Sequence, residues 1–230
     1  MSTSSSLLTT REQIADLTAK ILVEIKAVHF NASTPYILTS GRASPVYVDC
    51  RRVVSFPRAR KAITDFAVTT IERNIGFECI DSIAGGETAG IPYAAWISEA
   101  MGLPMQYVRK KPKGFGRNAQ IEGVLESGTR TLLVEDLATD GGSKVNFVNA
   151  LRDAGAVVTD TFVVFHYGIT ALSSGPLAEL GVKLHALTTW WDVLKTAREN
   201  NYFDANTCNE VEKFLNDPIG WSNAHGGKEE

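Results

Sequence analysis

Residues 131–144 read TLLVEDLATDGGSK, and they combine a short apolar strand, two adjacent acids and a glycine-containing loop that opens a helix. A continuously apolar strand of this kind is typical of a parallel sheet that is covered on both faces. Glycines permit a tight turn whose amides point inward, and the start of the helix adds free N–H groups and a positive dipole end. The segment therefore predicts an α/β fold with a phosphate-binding loop beyond the carboxyl end of a strand.

The two acids of this segment, Glu135 and Asp136, predict a sugar beside the phosphate. Carboxylates repel a phosphate, but they are good bidentate acceptors for the vicinal hydroxyls of a ribose. The alternative is an ordinary strand-to-helix turn with Ser143 as the cap. A Walker loop is excluded, because Lys144 is not followed by Ser or Thr and no glycine precedes Gly141 at the required spacing. Ribose 5-phosphate is therefore the predicted ligand.

On both sides of this segment, apolar periodicity predicts alternating helices and strands. Helices are predicted at residues 10–28, 57–75, 91–101 and 143–154, and strands at 80–84, 104–109, 131–135, 157–165 and 184–187. Residues 35–49 indicate two short strands around a turn, and Trp190 and Trp191 are expected to pack a helix onto the core. We expect one domain over residues 1–230, with a hood near 30–50 joined by the N-terminal helix, a core near 57–190 and a helical extension at 190–220.

Composition and charge argue against a nucleic-acid-binding, membrane-bound or disulfide-rich protein. The chain has 230 residues, of which 44% are hydrophobic, and a net charge of -3. Because the net charge is negative, the protein as a whole is not attracted to nucleic acid or to an anionic membrane. The three cysteines, Cys50, Cys79 and Cys208, are an odd number without CxxC spacing, which argues against a disulfide framework or a zinc site and fits a reducing compartment. The first residues lack the pattern of a signal peptide. We expect a cytoplasmic protein.

A basic run lies at residues 106–118, QYVRKKPKGFGRN, just after a predicted strand. Its cations are Arg109, Lys110, Lys111, Lys113 and Arg117, in a segment that a proline and two glycines interrupt. In an acidic protein this pattern predicts a mobile arm that neutralises a pyrophosphate and then opens. The alternatives are a solvated surface loop and a weak nucleic-acid patch.

Two further segments carry weaker signals. Residues 85–92, GGETAGIP, follow a predicted strand, and their small side chains let backbone amides reach a pyrophosphate. A packed helix start explains that segment equally well.

Residues 36–49, YILTSGRASPVYVD, place Tyr47 on a short strand. There it can stack on a flat ring while backbone groups of residues 46–48 pair with the ring edges. The alternative for Tyr47 is an aromatic side chain in a small core.

Taken in order over about residues 36–166, these four motifs resemble those of the type I phosphoribosyltransferases, and the hood motif resembles that of the orotate phosphoribosyltransferases. The resemblance implies the type I phosphoribosyltransferase fold, a central parallel sheet flanked by helices with a small N-terminal hood. It implies transfer of ribose 5-phosphate from phosphoribosyl pyrophosphate to orotate in pyrimidine biosynthesis, with Mg²⁺ bound through phosphoribosyl pyrophosphate. It also implies a homodimer in which the basic loop of one subunit reaches over its partner's site.

Two alternatives stay open at this point. A purine phosphoribosyltransferase would share the ribose phosphate loop but not the hood motif at residues 40–47. A regulator of the same fold would bind phosphoribosyl pyrophosphate, or RNA, without turnover.

The resemblance also assigns roles to individual residues. Lys113, Arg109 and Lys110 are expected to contact the pyrophosphate and the transition state. Asp136 is expected to position the ribose rather than to act as a base. The expected substrate-binding residues are Lys110, Glu135, Leu137, Ala138, Thr139, Asp140, Gly141, Gly142, Ser143, Glu87, Thr88, Ala89, Ser40, Tyr47, Val48 and His166.

At several positions the chain departs from the family pattern. Asp140 replaces a small neutral residue, Ala89 and Thr39 stand where some relatives have lysine, and Phe115 stands where many have a histidine. His166 stands where relatives have an arginine that binds orotate, and we assign the orotate carboxylate to His166.

Overall fold

The computed structural model describes residues 9–38, 40–113, 120–139, 141–169 and 175–228. Its helices are α1 (Arg11–Glu24), α2 (Pro57–Asn74), α3 (Gly90–Met101), α4 (Gly142–Asp153), α5 (Pro176–Glu179), α6 (Trp190–Glu199), α7 (Ala205–Asn216) and α8 (Pro218–Ala224), with a 3-10 helix at Cys50–Ser55. Its strands are β1 (Val28–Phe30), β2 (Tyr36–Ile37), β3 (Ala43–Ser44), β4 (Val46–Val48), β5 (Ser82–Gly86), β6 (Met105–Val108), β7 (Ile121–Glu122), β8 (Thr131–Ala138), β9 (Asp160–His166) and β10 (Lys183–Thr189).

A six-stranded sheet in the order β10-β9-β8-β5-β6-β7 forms the centre of the molecule. Its strands run parallel except for β7, which pairs with β6 in the antiparallel sense. Neighbouring residues of β8 point to opposite faces, so that Leu133 packs in one apolar cluster while Leu132 and Val134 pack in the other. This double burial explains why β8 is continuously apolar, and it confirms the predicted parallel sheet flanked by helices.

The hood departs from the sequence prediction at its beginning. Helix α1 ends at Glu24, because Lys26 adopts a left-handed conformation with φ of 56° that a helix cannot continue through. The predicted helix over residues 10–28 is therefore wrong at its end. Val28 instead begins β1 and pairs with Val48 of β4, and the predicted hairpin is formed by β2 and β3.

Strand ends and the C-terminal region show further differences. Strand β8 continues to Ala138, three residues beyond the predicted end of the strand. Glu135 and Asp136 therefore lie within the strand rather than at its end. Trp190 is fully buried against Phe165, with ring centroids 4.8 Å apart, and packs α6 onto the core as predicted. Trp191 is 38% exposed, so the expectation that it also packs into the core is wrong.

Helices α6, α7 and α8 follow β10 along the chain. The division of the chain into one domain with hood, core and extension stays a prediction. Within the described ranges, no helix combines the length and apolarity that crossing a membrane requires.

Candidate active site

A crevice of about 540 Å³ lies beyond the carboxyl ends of the central parallel strands. Its wall is formed by five parts of the chain: the hood, the residues after β5, those after β6, the end of β8 and the first turns of α4. Its lining residues are Tyr47, Val48, Asp49, Arg51, Glu87, Thr88, Ala89, Lys110, Glu135, Asp136, Leu137, Ser143, Asn146, Phe147 and Tyr167. This is the edge of a parallel sheet where ligands bind, and where the sequence predicted chemistry.

The crevice brings together ten of the residues assigned from the sequence: Tyr47, Val48, Glu87, Thr88, Ala89, Lys110, Glu135, Asp136, Leu137 and Ser143. Others lie elsewhere in the described part of the chain, outside the lining: Ser40, Arg109, Lys113, Ala138, Thr139, Gly141, Gly142 and His166. Asp140, Phe115 and Thr39 lie outside the described residues. The ligand roles of all these residues stay predictions.

Among the acids that line the crevice, Glu135 has the pKa that is shifted furthest from its ordinary value. Burial raises the pKa of Glu135 to about 7; the charge of Lys144 opposes this shift and that of Asp136 adds to it. Its Oε2 lies 3.5 Å from Lys144 Nζ, whereas Oε1 has no hydrogen-bond partner among the described residues. A β-carbon at Gly86 would lie 2.2 Å from Oε1, and one at Gly90 would lie 2.6 Å from it. Both glycines thus leave room for this carboxyl group.

Asp136 lies beside Glu135 and also faces the crevice. Burial raises its pKa, and Lys144 and the Leu137 N–H, which donates to Asp136 Oδ1 at 2.9 Å, counteract that effect. The two acids therefore offer several carboxyl oxygens, little solvated, to a ligand with hydroxyl groups.

Gly141 lies at the start of α4 and packs closely against Leu177 of α5. Gly141 is the N-cap of α4 with φ of 86°, and a β-carbon there would lie 2.8 Å from Leu177 Cδ1. Because Gly141 holds the cap position, the alternative in which Ser143 caps the helix does not apply. Ser143 lines the crevice instead, and its Oγ accepts a hydrogen bond from Lys144 Nζ at 3.1 Å. A buried ammonium group thus lies directly behind the first turn of the helix.

In the described part of the predicted basic arm, Lys110 differs in its surroundings from Arg109 and Lys113; Arg117 lies outside the described residues. Lys110 lines the crevice, and its backbone is fixed on both sides: its N–H donates to Glu87 Oε2 at 2.7 Å, and its C=O accepts from Asn146 Nδ2 at 3.2 Å. Arg109 and Lys113 both pair with the carboxylate of Glu122 on β7. The hydrogen bond from Lys113 is the largest cause that lowers the pKa of Glu122. In this structure Glu122 therefore holds two of the three expected pyrophosphate contacts away from the crevice.

On the hood side, Tyr47 is surrounded by polar and aromatic groups. Its ring centroid lies 5.6 Å from that of Tyr36. The guanidinium of Arg51 lies next to it, with Nη2 3.4 Å from the Tyr47 hydroxyl and Nε 2.6 Å from Asp49 Oδ1. The Arg51 side chain is 63% exposed, so it can reach a ligand. Asp49 and Arg51 were not among the predicted site residues; they lie one and three residues after the end of β4, the strand that carries Tyr47.

Three other lining residues were missed. Asn146 and Phe147 follow Ser143 at spacings of three and four, which places all three on one face of a helix, so this signal was available. Tyr167 follows strand β9 directly, and burial raises its pKa to about 12.

His166 occupies the last position of β9, where it pairs with Ala138. It is 4% exposed, and burial lowers its pKa while a hydrogen bond with the backbone of Thr139 acts in the opposite sense. Successive strand residues point to opposite sides, which is why Tyr167 lines the crevice and His166 does not.

Comparison with protein-family models gave no match. Curated relatives are similar over nearly the whole chain. The chain is 58% identical over 213 residues to an orotate phosphoribosyltransferase of Dinoroseobacter shibae, covering 93% of this chain and 94% of the relative. It is 57% identical over 214 residues to the orotate phosphoribosyltransferase of Cereibacter sphaeroides, covering 93% of this chain and 92% of the relative.

Solved structures share the fold. The orotate phosphoribosyltransferase of Aeropyrum pernix superposes with a TM-score of 0.68 at 28% identity, covering 81% of this chain and 99% of that one. Leishmania donovani UMP synthase superposes with a TM-score of 0.74 at 29% identity over 87% of this chain. The matched part is 42% of that longer protein.

Proposed function

The chain belongs to the orotate phosphoribosyltransferase family, and from this premise we propose that it is a pentosyltransferase that makes orotidine 5′-monophosphate and pyrophosphate from orotate and phosphoribosyl pyrophosphate. The observation that carries this proposal is the crevice, in which the acid pair, the first turn of α4, Lys110 and Tyr47 line one cavity. Such a reaction is a step of pyrimidine biosynthesis.

Phosphoribosyl pyrophosphate would lie across the sheet edge. The 5-phosphate binds at residues 139–143, where the start of α4 and the buried Lys144 favour an anion. Asp136 accepts hydrogen bonds from the ribose hydroxyls. Oε1 of Glu135, which has no hydrogen-bond partner in the described part of the chain, is a further acceptor beside it. The pyrophosphate lies between residues 87–89 and Lys110, which line the opposite wall.

Orotate would lie on the hood side of the crevice, stacked on Tyr47. Its carboxylate needs a cation or a strong donor. His166 keeps the assignment that the resemblance gave it, and Arg51 is a second candidate, supported by its place in the lining and by its exposed guanidinium. A guanidinium binds a carboxylate in bidentate fashion, which an imidazole cannot do.

In the reaction, the orotate ring nitrogen forms a bond to C1 of the ribose while the bond from C1 to the pyrophosphate oxygen breaks. Holding both substrates in line supplies about 7–11 kcal/mol of the barrier. Orotate attacks as an anion, so the reaction needs no strong base, and Asp136 acts by positioning the ribose. Lys110, together with Lys113 and Arg109, stabilises the charge that develops on the departing pyrophosphate.

We also propose that Mg²⁺ enters with phosphoribosyl pyrophosphate. The carboxylates of Glu87 and Asp136 line the crevice and would hold the ion or its water ligands. Magnesium bound to the leaving group would supply neutralisation of its charge. Within the described residues, no group of three or more His, Cys, Asp or Glu side chains is placed to hold a metal ion.

A homodimer with shared active sites completes the proposal. Arg109 and Lys113 do not line the crevice of their own subunit, which supports their use at a partner's site. We further propose a cytoplasmic location, which the unpaired Cys50, Cys79 and Cys208 support.

The test is base selectivity. With Mg²⁺ and phosphoribosyl pyrophosphate, the full chain should release pyrophosphate when orotate is added, but not with adenine, guanine or uracil. Turnover of a purine instead would identify a purine phosphoribosyltransferase. Tight binding of phosphoribosyl pyrophosphate without release from any base would identify a regulator.

A further inference from the structure

The last turn of α8 and the residues that follow it lie against the hood hairpin, from which they are separated by most of the sequence. The N–H of Ala43 on β3 donates to Ser222 Oγ at 2.9 Å in a buried hydrogen bond. The N–H of Lys228 donates to the C=O of Gly41, in the hairpin turn, at 3.0 Å. We name residues 222–228 the C-terminal clasp.

Close packing at two glycines shows that the clasp fits the hairpin tightly. A β-carbon at Gly227 would lie 2.0 Å from Ser222 Oγ and 2.7 Å from the backbone nitrogen of Ala43. A β-carbon at Gly41 would lie 3.3 Å from Cδ of Lys228, whose aliphatic carbons cover the turn. At Gly227, only a residue without a side chain allows the clasp backbone to approach the hairpin backbone this closely.

The clasp itself is anchored on the C-terminal helices. Trp221 is 6% exposed and packs edge-on against Phe214 of α7, with ring centroids 5.6 Å apart. His225 stacks on Trp221 with ring centroids 3.7 Å apart and an interplanar angle of 7°. The hairpin therefore rests on a support that is built into the body of the protein.

The hairpin also leads directly into the wall of the crevice. Tyr36 on β2 pairs with Ser44 on β3, and the ring of Tyr36 contacts that of Tyr47. The Ser44 hydroxyl in turn donates to the C=O of Val46 at 2.8 Å, one residue before Tyr47. A shift of the hairpin would thus displace the aromatic residue proposed to stack on the pyrimidine.

We propose that Ser222 is a positioning residue for the pyrimidine side of the active site, acting with the Lys228 amide through the hood hairpin on Tyr47. This inference rests on the proposed function, because it assumes that Tyr47 faces orotate. It assigns a role to the C-terminal extension, which contributes none of the residues that line the crevice in the described part of the chain.

The two hydrogen bonds can be removed separately. Ser222→Ala removes the acceptor for Ala43, and the exposed neighbour Asn223→Ala is its control. Lys228→Pro removes the N–H that bonds Gly41, whereas Lys228→Ala shortens the same side chain and keeps the N–H. Ser222→Ala and Lys228→Pro should each raise KM for orotate by about three- to tenfold, the loss of roughly one hydrogen bond, and leave KM for phosphoribosyl pyrophosphate within about twofold. Their controls should match the unaltered chain.

Equal changes in both KM values, or no change in either, would overturn the proposal. If Ser222→Ala fails to fold, the comparison of Lys228→Pro with Lys228→Ala decides, since Lys228 is exposed. The unaltered chain separates this failure from that of the proposed function: if it makes no orotidine 5′-monophosphate, the proposed function is wrong and the clasp proposal falls with it.

Discussion

The ammonium of Lys144 lies 3.5 Å from the carboxylate of Glu135, and the two side chains are about 5% and 10% exposed. This ion pair lies behind both the ribose and the phosphate sides of the proposed site. Burying two charges costs free energy that their mutual attraction only partly offsets. The pair therefore makes stability and activity depend on pH in a way that a surface ion pair would not.

Glu135→Gln should change how stability depends on pH. The pKa of Glu135 is raised in the folded protein, to about 7 from an ordinary value of 4.5, so the folded state loses stability from this group as pH rises from about 4.5 through about 7. Glutamine does not titrate. The free energy of unfolding of the unaltered chain, measured relative to the Gln variant, should thus fall by about 1–3 kcal/mol between pH 5 and pH 8. A difference that is constant with pH, in urea unfolding, would contradict the raised pKa.

Asp136→Asn should lower kcat/KM for phosphoribosyl pyrophosphate by about 10- to 100-fold, because it replaces a charged acceptor for the ribose hydroxyls by a neutral one. The fold should stay intact, since the change removes no core volume. Asp153→Asn, an exposed site at the end of α4, is the matched control. If the Asp136 variant keeps the kcat/KM of the unaltered chain, the ribose assignment is wrong.

Arg51→Ala and His166→Ala distinguish the two candidates for the orotate carboxylate. The residue that binds it should raise KM for orotate by about tenfold or more when replaced, with a smaller effect on phosphoribosyl pyrophosphate. Arg52→Ala is the control for Arg51, because Arg52 is the adjacent arginine, donates to the C=O of Ile25 and does not line the crevice.

The dependence on pH separates the two residues further. If His166 binds the carboxylate, its contribution should grow as pH falls, since imidazolium binds a carboxylate better than imidazole does. Because burial lowers the pKa of His166, that growth should occur below its ordinary value of 6.5. An Arg51 contact would show no such dependence. Equal effects of His166→Ala on both substrates, or loss of folding, would assign His166 to structure.

Lys113→Ala and Asp136→Asn should complement each other if the dimer shares its active sites. When the two impaired variants are mixed in equal amounts, unfolded and refolded together, about half of the dimers would be heterodimers. Each heterodimer would have one intact site and one doubly altered site, so the mixture would recover about a quarter of full activity. Lys111→Ala, an exposed neighbour in the same segment, should keep nearly full activity by itself. A mixture that stays inactive after proven subunit exchange would contradict the shared site.

The central part of this fold was predictable because its signals are local. The apolar run of β8 and the glycines after it have few alternative explanations, and the relatives bear out the family that they indicated. Strand β1 was not predictable, since Val28 continues the helical spacing of α1 and Lys26 breaks that helix without a glycine or proline. Strand β7 has only two residues, which is too short for any periodicity.

The site residues that lie together in one stretch of sequence were predictable, such as Glu135, Asp136 and Ser143. Residues that the fold brings to the crevice from elsewhere were not. Tyr167 and Arg51 reach the crevice through the order of the strands and the fold of the hood, which no spacing in the sequence reveals. Likewise, nothing in the sequence indicates that Glu122 pairs with Arg109 and Lys113, because that contact depends on β7 returning beside β6.

The two glycines that face Glu135 have different freedom to change during evolution. At Gly90, a β-carbon would lie 2.4 Å from the backbone oxygen of Val134, so this position excludes every side chain whatever residue stands at 135. At Gly86, the nearest obstacles belong to the side chains of Glu135 and Phe147. Alanine at position 86 should therefore arise only in lineages where residues 135 and 147 have become smaller, which makes these three positions a covarying set and leaves Gly90 invariant beside them.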